Sequence, residues 1–283
     1  MYLKKYLEML GLGVLICFSF ILTDKTSTIM KENDEIMATI KENYSQFETS
    51  SIDAKINNDE IIPGISGKQV DIESSYQVMK KIGKYHSDFL VYKDISPTVT
   101  LENNYNKYIT GGNPARKAVS FIFKVYNNTN ISALLKILKQ KEVTANFFLD
   151  GKWLEQNYEK LTGLVNNNHL VGNLGYNKEY GTDNDYWFVS NIKRNTKQKK
   201  YYCYCEIKND NSLSSCAKLD QYTIIPSIIV KDDLLINVKQ KVQSGSIISV
   251  ELTDYNISEL SLTIDYIRSK GYEINTLDML LDE

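Results

Sequence analysis

The part of the chain that decides the fold is residues 119–178. It begins with the apolar run Val119-Ser-Phe-Ile-Phe-Lys-Val-Tyr126 and continues, after a helix-like stretch, with Val143-Thr-Ala-Asn-Phe-Phe-Leu-Asp-Gly151. It ends with Asn168-His-Leu-Val-Gly-Asn-Leu-Gly-Tyr-Asn-Lys178. Apolar runs of this length, separated by stretches with helical spacing, indicate strands that alternate with helices. Such βα units predict a parallel sheet.

The same alternation continues to the end of the sequence. Seven apolar runs are predicted as strands, at residues 119–125, 144–149, 170–172, 201–205, 223–225, 246–252 and 273–275. Seven strands favour a closed or partly open barrel, although periodicity alone does not exclude a doubly wound sheet. In either architecture, a functional site is expected at the carboxyl ends of the parallel strands.

Composition excludes several functional classes. The chain has 283 residues, which is enough for one large domain with additions or for two domains. Its net charge of −2 lacks the basic footprint of a nucleic-acid-binding protein, so no nucleic-acid partner is expected. The only histidines are His86 and His169, and this count excludes any site that needs three histidines.

Four cysteines are present, at positions 17, 203, 205 and 216. Cys203 and Cys205 would point to the same side of a strand. Their spacing differs from the Cys-x-x-Cys pairs of structural zinc sites. Buried free thiols are the favoured interpretation, and a disulfide between Cys216 and one of the other two is the alternative.

The first 23 residues indicate an export signal or membrane anchor. Lys4 and Lys5 precede a run without charged residues from Met9 to Leu22. No clear small-x-small cleavage site follows this run, which is short compared with the ~20 residues of a spanning helix. We therefore predict an uncleaved single-pass anchor at the cell membrane, with an extracytoplasmic domain. Secretion after signal cleavage is the alternative.

Three further regions follow the predicted anchor. Residues 24–60 are mostly polar and are expected to form a stalk or linker. Residues 61–113 predict a small α+β extension that packs on the barrel, with a helix at about 73–82. Residues 114–283 contain the regular alternation and are predicted to form the main domain.

Four motifs at family spacing resemble the polysaccharide deacetylase family, the NodB-like carbohydrate esterases. Val143–Gly151 resembles V-K-A-T-F-F-x-x-G, and Asn168–Lys178 resembles G-H-E-I-G-N-H-T-Y-S-H. Gly245-Ser-Ile-Ile-Ser-Val-Glu-Leu252 resembles G-x-I-I-L-x-H-D, and Ile267-Arg-Ser-Lys-Gly-Tyr-Glu-Ile-Asn-Thr-Leu277 resembles K-x-x-G-Y-x-F-V-T-L. The resemblance implies an α/β fold with a distorted (β/α) barrel of about seven parallel strands.

The same resemblance indicates that the family's chemistry has been lost. Its T-F-D-D-G motif aligns with residues 122–126, so that the general base becomes Lys124 and a metal ligand becomes Val125. The two metal-binding histidines become Leu174 and Lys178, and the late histidine becomes Glu251. The family uses a divalent metal, usually zinc, to polarise a carbonyl and activate water. Leu, Val and Lys cannot ligate such an ion, so we predict neither a metal cofactor nor catalysis.

His169 does match a family residue, but that residue is structural, so a hydrogen-bonded core histidine is expected.

Three functional interpretations remain at this point. The first is an inactive domain that binds cell-wall or other envelope polysaccharide, with Lys124 and Lys178 in a shared basic pocket. Its candidate ligand-binding residues are Lys124, Tyr126, Tyr176, Lys178, Tyr202 and Glu251. The second is an envelope protein that binds another protein and no glycan. The third is an active deacetylase with a rebuilt metal site, for which the candidate carboxylates are Asp150, Glu179, Asp183, Asp185, Glu251 and Asp254.

Overall fold

The computed structural model describes residues 31–126 and 129–283. The predicted anchor at residues 1–23 lies outside these ranges. Within them, no helix combines the length and the apolar content that crossing a membrane requires. The chain divides into two compact units, a small one that contains residues 31–51 with Ser66–Ile95 and a large one that contains Ile52–Ile65 with Ser96–Glu283.

The described helices are numbered here in chain order. They are α1 (Glu35–Asn43), α2 (Ile72–Ile82), α3 (Ser132–Gln140), α4 (Gly151–Gln156), α5 (Tyr158–Asn166), α6 (Asp183–Asn195), α7 (Asp210–Ala217), α8 (Leu234–Lys241), α9 (Asp254–Ser269) and α10 (Leu277–Leu280). Three short 3-10 helices occur at Tyr44–Phe47, Ser87–Phe89 and Pro114–Arg116.

The described strands are numbered in the same way. They are β1 (Lys55–Asn57), β2 (Glu60–Ile62), β3 (Gly67–Val70), β4 (Tyr92–Ile95), β5 (Tyr108–Ile109), β6 (Ala118–Val125), β7 (Asn146–Leu149), β8 (Leu170–Asn173), β9 (Tyr201–Tyr204), β10 (Gln221–Ile224), β11 (Ile228–Val230), β12 (Ile247–Val250) and β13 (Glu273–Ile274).

The small unit consists of helices α1 and α2 and the antiparallel pair β3–β4. Its core is formed by Ile40, Val70, Met79 and Leu90. Helix α2 coincides with the helix predicted at residues 73–82. It begins after Asp71, whose Oδ1 accepts the Ser74 N–H at 3.1 Å, as expected of an N-cap residue.

The large unit is built on one sheet of eleven strands. Its strand order is β1-β2-β5-β10-β9-β8-β7-β6-β12-β11, and β13 pairs with β6. All pairs are parallel except β1–β2. The prediction of an α/β fold with parallel strands is thus confirmed. The seven strands β6–β12 form a half-barrel that is open between β10 and β11, because β10 pairs instead with β5.

The pairing of β5 with β10 and β2 joins segments that were predicted to belong to different regions of the chain. Strands β1 and β2 lie within the predicted stalk or at its end, and β5 lies within the predicted extension, yet β2 and β5 continue the sheet of the large unit. The predicted boundaries at residues 60 and 113 therefore do not coincide with the boundaries between the two units.

Both faces of the parallel sheet are covered, as expected for strands joined by helices. Along β6, the alternate residues Phe121, Phe123 and Val125 pack in the cluster beneath the helices. Ile122 belongs to a second cluster on the opposite, interior face. Because side chains in a strand alternate with a period of two, Lys124 shares the interior face with Ile122.

Two cysteines form a disulfide, which corrects the prediction of buried free thiols. Cys203 on β9 is bonded to Cys216 on α7, with their Cα atoms 6.2 Å apart. Cys205 is buried and free, so for this residue the prediction is confirmed. The alternating Cys-Tyr-Cys spacing could not choose the partner, because that choice depends on where α7 crosses the strand.

Candidate functional site

Five strand ends bring together the positions at which a site was expected. Lys124 lies near the end of β6, Asp150 follows β7, Leu174 follows β8, Glu206 lies just beyond β9, and Glu251 follows β12. Strands β12 and β6 are in register with Val250 opposite Phe123, so Glu251 and Lys124 are the next cross-strand neighbours. The local register of the sheet therefore brings these two side chains into contact.

Lys124 is held between two carboxylates. Its Nζ lies 2.9 Å from Glu251 Oε2 and 3.5 Å from Glu206 Oε2. The Lys124 side chain is 6% exposed, whereas Glu206 and Glu251 are 40% and 37% exposed. Nζ also lies 5.6 Å from the centre of the Tyr204 ring, within reach of a cation–π interaction. The ammonium group is therefore buried, and the carboxylates remain accessible to a ligand.

The ionisation of these groups follows from their surroundings. Burial alone would lower the pKa of Lys124, but the neighbouring Glu251 carboxylate more than reverses this effect and raises the pKa above its ordinary value. Burial raises the pKa of both Tyr126 and Tyr204. At neutral pH, Lys124 is therefore a cation and both phenols are protonated. An ammonium group in this state cannot serve as a general base.

Lys178 occupies a different position from Lys124. It is exposed, and its Nζ lies 4.8 Å from the centre of the Tyr126 ring. Its backbone N–H donates to Asp150 Oδ2 at 2.9 Å. Glu206 and Glu251 compensate the charge of Lys124, and Lys178 lies over the ring of Tyr126. The shared pocket was expected to be basic, and this expectation is corrected, because the pocket also contains two acids.

The residues at the aligned metal positions do not fit a divalent ion. Val125 packs in the cluster beneath the helices, and Leu174 is buried in the interior cluster. Lys124 places an ammonium group where the resemblance expects a cation. Glu251 has ligating oxygens, but one of them contacts that ammonium group. Within residues 31–126 and 129–283, no three His, Cys, Asp or Glu side chains are grouped as metal ligands.

The carboxylates proposed for a rebuilt metal site have separate structural contacts. Asp150 accepts N–H bonds from Lys152 and Lys178, so it caps α4 and holds the loop after β8. Asp185 is buried and accepts from Asn173 Nδ2 and from the Gly181 N–H, both at 2.9 Å. Asp183 and Asp254 lie in the first turns of α6 and α9, and Glu179 bridges to Tyr176. These contacts stabilise helix ends and loops.

The two remaining tyrosine candidates differ in their access to ligand. The Tyr176 ring lies against Gly151, where an added Cβ would come within 2.6 Å of it, and its hydroxyl donates to Glu155 Oε2 at 2.7 Å. Tyr202 is 1% exposed, and its hydroxyl donates to Asp278 Oδ1 at 2.8 Å. It lies two residues before Tyr204, deeper in the interior. Tyr202 is therefore not available at the strand ends, which corrects its selection as a ligand-binding candidate.

Sequence reasoning missed three residues of the site. Tyr204 and Ser249 are joined by a hydrogen bond of 3.0 Å, and Glu206 is the second acid beside Lys124. A signal was present, because Tyr204 is separated from Tyr202 by the two-residue period of a strand face. Glu206 follows the strand directly, where the carboxyl ends of parallel strands meet.

Comparison with known proteins finds a family match in part of the chain. Residues 111–203 match the family model described as polysaccharide deacetylase. The uncharacterized protein YlxY of Bacillus subtilis (strain 168) is 26% identical over 282 residues, covering 91% of this chain and 87% of that protein.

Solved structures add a more specific likeness. Wild-type BA3943 from Bacillus anthracis, described as a CE4 family pseudoenzyme, is 28% identical with a TM-score of 0.68, covering 89% of this chain and 96% of that chain. A mutant of BA3943 described as having restored enzymatic activity gives the same identity and TM-score, covering 88% of this chain and 99% of that chain.

These findings confirm the resemblance seen in the sequence. The large unit has the fold of a polysaccharide deacetylase, the class of carbohydrate esterase family 4. The chain is similar to a member of this family that is described as a pseudoenzyme. The resemblance in the sequence aligns the family's metal and catalytic positions with Lys124, Val125, Leu174, Lys178 and Glu251.

Proposed function

We propose that this protein is a catalytically inactive deacetylase-like domain that binds envelope glycan at the carboxyl ends of its parallel strands. The observation that carries the proposal is the Lys124 ammonium group, held between Glu206 and Glu251 at the position where the family would bind its metal. This cluster of ion pairs lies where the resemblance expects the hydrolytic groups. It leaves charged side chains at the site that can bind a ligand.

The cluster favours an uncharged, hydroxylated ligand. The ammonium groups of Lys124 and Lys178 balance the carboxylates of Glu206 and Glu251, so neither anionic nor cationic ligands are strongly attracted. More than a third of each carboxylate side chain is exposed and can accept hydrogen bonds from sugar hydroxyls or acetamido N–H groups. The ring of Tyr126 adds an aromatic surface beside them.

Binding to purified peptidoglycan tests the proposal. The full chain should sediment with the polymer. Glu206→Gln combined with Glu251→Gln should weaken binding about tenfold, as expected for two lost charge-assisted hydrogen bonds. Both changes are made together with Lys124→Met, so that no buried ammonium group is left without a partner. Asp265→Asn is the matched control, because it removes an exposed carboxylate that pairs with Lys141 away from the strand ends. Wild-type binding by the triple variant would contradict the proposal.

The same preparation distinguishes the two alternatives. A protein partner recovered by crosslinking after complete glycan digestion would support a protein-interaction module. Stoichiometric divalent metal together with acetate release from chitooligosaccharide would support an active deacetylase with a rebuilt site. The arrangement of Lys124, Val125 and Leu174 favours neither metal binding nor this hydrolysis.

We also propose that residues 1–23 anchor the domain outside the cytoplasm. The disulfide between Cys203 and Cys216 supports this location, because disulfides persist in oxidising, extracytoplasmic compartments. Digestion of intact cells by an added protease should remove the domain, and the mass of the membrane-bound chain should include the first 23 residues. A mature chain that lacks them would instead support signal cleavage and secretion.

A further inference from the structure

The small unit carries a concentration of exposed apolar side chains. Within the described residues, fifteen large apolar or aromatic side chains are more than a third exposed, and five of them fall within residues 78–95. Single exposed side chains of this kind are ordinary on a protein surface, whereas several close together mark an interaction site. The five are Val78, Ile82, Phe89, Tyr92 and Ile95.

Three of these side chains belong to one side of α2. Val78 and Ile82 are four residues apart in the helix, so they lie one turn apart on the same side. The chain reverses after α2, and the Val91 N–H donates to Ser75 Oγ at 2.8 Å, so the returning segment runs back along the helix. Phe89, two residues before Val91, therefore lies beside the part of α2 that follows Ser75. Val78, Ile82 and Phe89 are called the apolar patch below.

The apolar patch is bordered by lysines. Between residues 78 and 91 the sequence has three lysines and one acid, Asp88. Lys80 is paired with Asp34, but Lys81 and Lys84 are exposed and make no ion pair in the part of the chain that the structure describes. Exposed apolar side chains next to uncompensated lysines are typical of surfaces that bind anionic lipid.

The proposed anchor keeps this surface close to a bilayer. Lys31, the first described residue, is paired with Glu73 in the first turn of α2. Eight residues separate it from the end of the predicted anchor at residue 23, and they span at most about 28 Å. Helix α2 itself is only about 16 Å long. The bilayer that holds the anchor is therefore within reach of the whole helix.

We propose that the apolar patch rests on the surface of an anionic phospholipid bilayer. Val78, Ile82 and Phe89 would enter the headgroup region, and Lys81 and Lys84 would contact lipid phosphates. A soluble polyanion would pair with the lysines but leave the apolar side chains in water, so a bilayer is the occupant that matches both features. The proposal rests on the anchor proposed above, and it concerns the small unit alone.

Fluorescence quenching of the full chain in lipid nanodiscs tests the proposal. Ile82→Cys in a Cys17→Ser background gives one reactive thiol for a nitrobenzoxadiazole fluorophore, because Cys205 is buried and the other two cysteines are bonded. In nanodiscs of phosphatidylglycerol, lipids that carry a nitroxide near the headgroup should quench this fluorophore strongly.

The matched control is the same fluorophore at Gln69→Cys. Gln69 is exposed and alternates with the core residue Val70 along β3, so it lies on the sheet face turned away from the core. Quenching should be several-fold weaker there, although the tether is the same. Equal quenching at positions 69 and 82 would overturn the proposal.

A charge variant tests the role of the lysines. Lys81→Gln combined with Lys84→Gln should weaken the contact about fivefold for each lysine lost, and should lower the quenching at position 82 accordingly. Lys136→Gln combined with Lys139→Gln removes the same charge from exposed positions on α3 and should leave the quenching unchanged. Quenching that does not fall in the first variant would count against an anionic lipid surface and overturn the proposal.

The mass of the chain separates this inference from failure of the anchor. A chain that retains residues 1–23 but shows no quenching at position 82 would overturn the membrane contact and leave the anchor standing. A chain that has lost these residues would overturn the anchor, and flotation of that mature chain with phosphatidylglycerol vesicles then decides the contact. Flotation that Lys81→Gln with Lys84→Gln weakens would support the contact, and absence of flotation would overturn it.

Discussion

Lys124 Nζ and Glu251 Oε2 lie 2.9 Å apart at the carboxyl ends of two neighbouring strands, although the resemblance aligns these positions with a general base and a general acid. The lysine side chain is almost completely buried, and Glu251 is the nearer of its two acidic partners. A buried charge without a partner destabilises a fold strongly, whereas an apolar replacement of both partners is often tolerated. Removing one partner should therefore cost more stability than replacing both.

Removal of the Glu251 charge should destabilise the fold, because the buried ammonium group of Lys124 would lose its nearer partner. We expect Glu251→Gln to lower the free energy of unfolding by about 1–3 kcal/mol, because Glu251 is partly exposed and Glu206 remains nearby. Combining it with Lys124→Met should recover most of this loss. Urea denaturation measures both effects.

The more distant acid provides the matched control for this pair. Glu206→Gln should cost less than about 1 kcal/mol, because its Oε2 is 3.5 Å from Nζ and the side chain is 40% exposed. A double variant, Lys124→Met with Glu251→Gln, that is no more stable than Glu251→Gln alone would show that the buried ammonium group is not the source of the loss.

His169 should make stability depend on pH in the weakly acidic range. Burial lowers its pKa in the folded chain, whereas an unfolded histidine titrates near pH 6.5. The unfolded chain therefore takes up this proton first as the pH falls. The free energy of unfolding should be highest above pH 6.5, and it should fall as the pH drops through the lowered pKa.

The variant His169→Asn isolates this contribution, since its amide oxygen can still accept the Ala145 N–H. Urea unfolding at pH 7.5 and pH 5.5 should show a smaller stability difference for this variant than for the wild-type chain. His86→Asn, at an exposed position, should keep the wild-type difference. Equal differences for His169→Asn and the wild-type chain would contradict the prediction.

The same histidine illustrates how much of the fold the sequence contained. Apolar runs separated by helical stretches indicated parallel strands, and family spacing around His169 indicated a core histidine. The half-barrel opening was not predictable, because it depends on β10 pairing with the two-residue strand β5. So short a strand has no periodic signal, and its pairing is decided by tertiary contacts.

The candidate site was predicted only in part, for a related reason. The resemblance placed Lys124 and Glu251 at the site. Whether the site as a whole is basic or neutral depends on which other side chains lie beside Lys124 in the folded chain. Glu206, just beyond β9, lies 82 residues from Lys124 in the sequence, so no local pattern connects them. Lys178 was expected in a shared basic pocket with Lys124, and the loop after β8 places its Nζ 4.8 Å from the centre of the Tyr126 ring.

The disulfide should contribute measurably to stability. Cys203 and Cys216 are 13 residues apart, and a loop of this size gives about 3 kcal/mol in the chain-entropy description. Cys203→Ala with Cys216→Ala should lower the free energy of unfolding by about 2–4 kcal/mol. Comparison by urea denaturation with Cys205→Ala separates this effect from simple loss of buried sulfur.

Alkylation gives an independent check on the cysteines. Burial raises the pKa of Cys205 to about 11, so the native thiol should react slowly with iodoacetamide at pH 8. Peptide mapping should find Cys205 modified only after unfolding, and Cys203 and Cys216 modified only after reduction. Alkylation of Cys203 in the native, unreduced chain would contradict the disulfide.

We expect the site to bind metal only when all of the aligned family residues are restored together. The required changes are Lys124→Asp, Val125→Asp, Leu174→His, Lys178→His and Glu251→His. A mutant of BA3943 is described as having restored enzymatic activity. We expect the five changes together to give stoichiometric zinc, measured by plasma mass spectrometry, and acetate release from chitooligosaccharide.

Partial restoration should fail for physical reasons that the structure supplies. Lys124→Asp alone would place a third carboxylate beside Glu206 and Glu251, so repulsion between like charges would destabilise the fold. Val125→Asp should cost about 1–3 kcal/mol, because Val125 packs beneath the helices and a carboxylate there loses its hydration. The five-residue set without Leu174→His is the control, since it lacks one imidazole ligand and should release no acetate. Metal binding by Lys124→Asp alone at the affinity of the complete set would contradict this account, because it would show that the acids already present suffice to hold the ion.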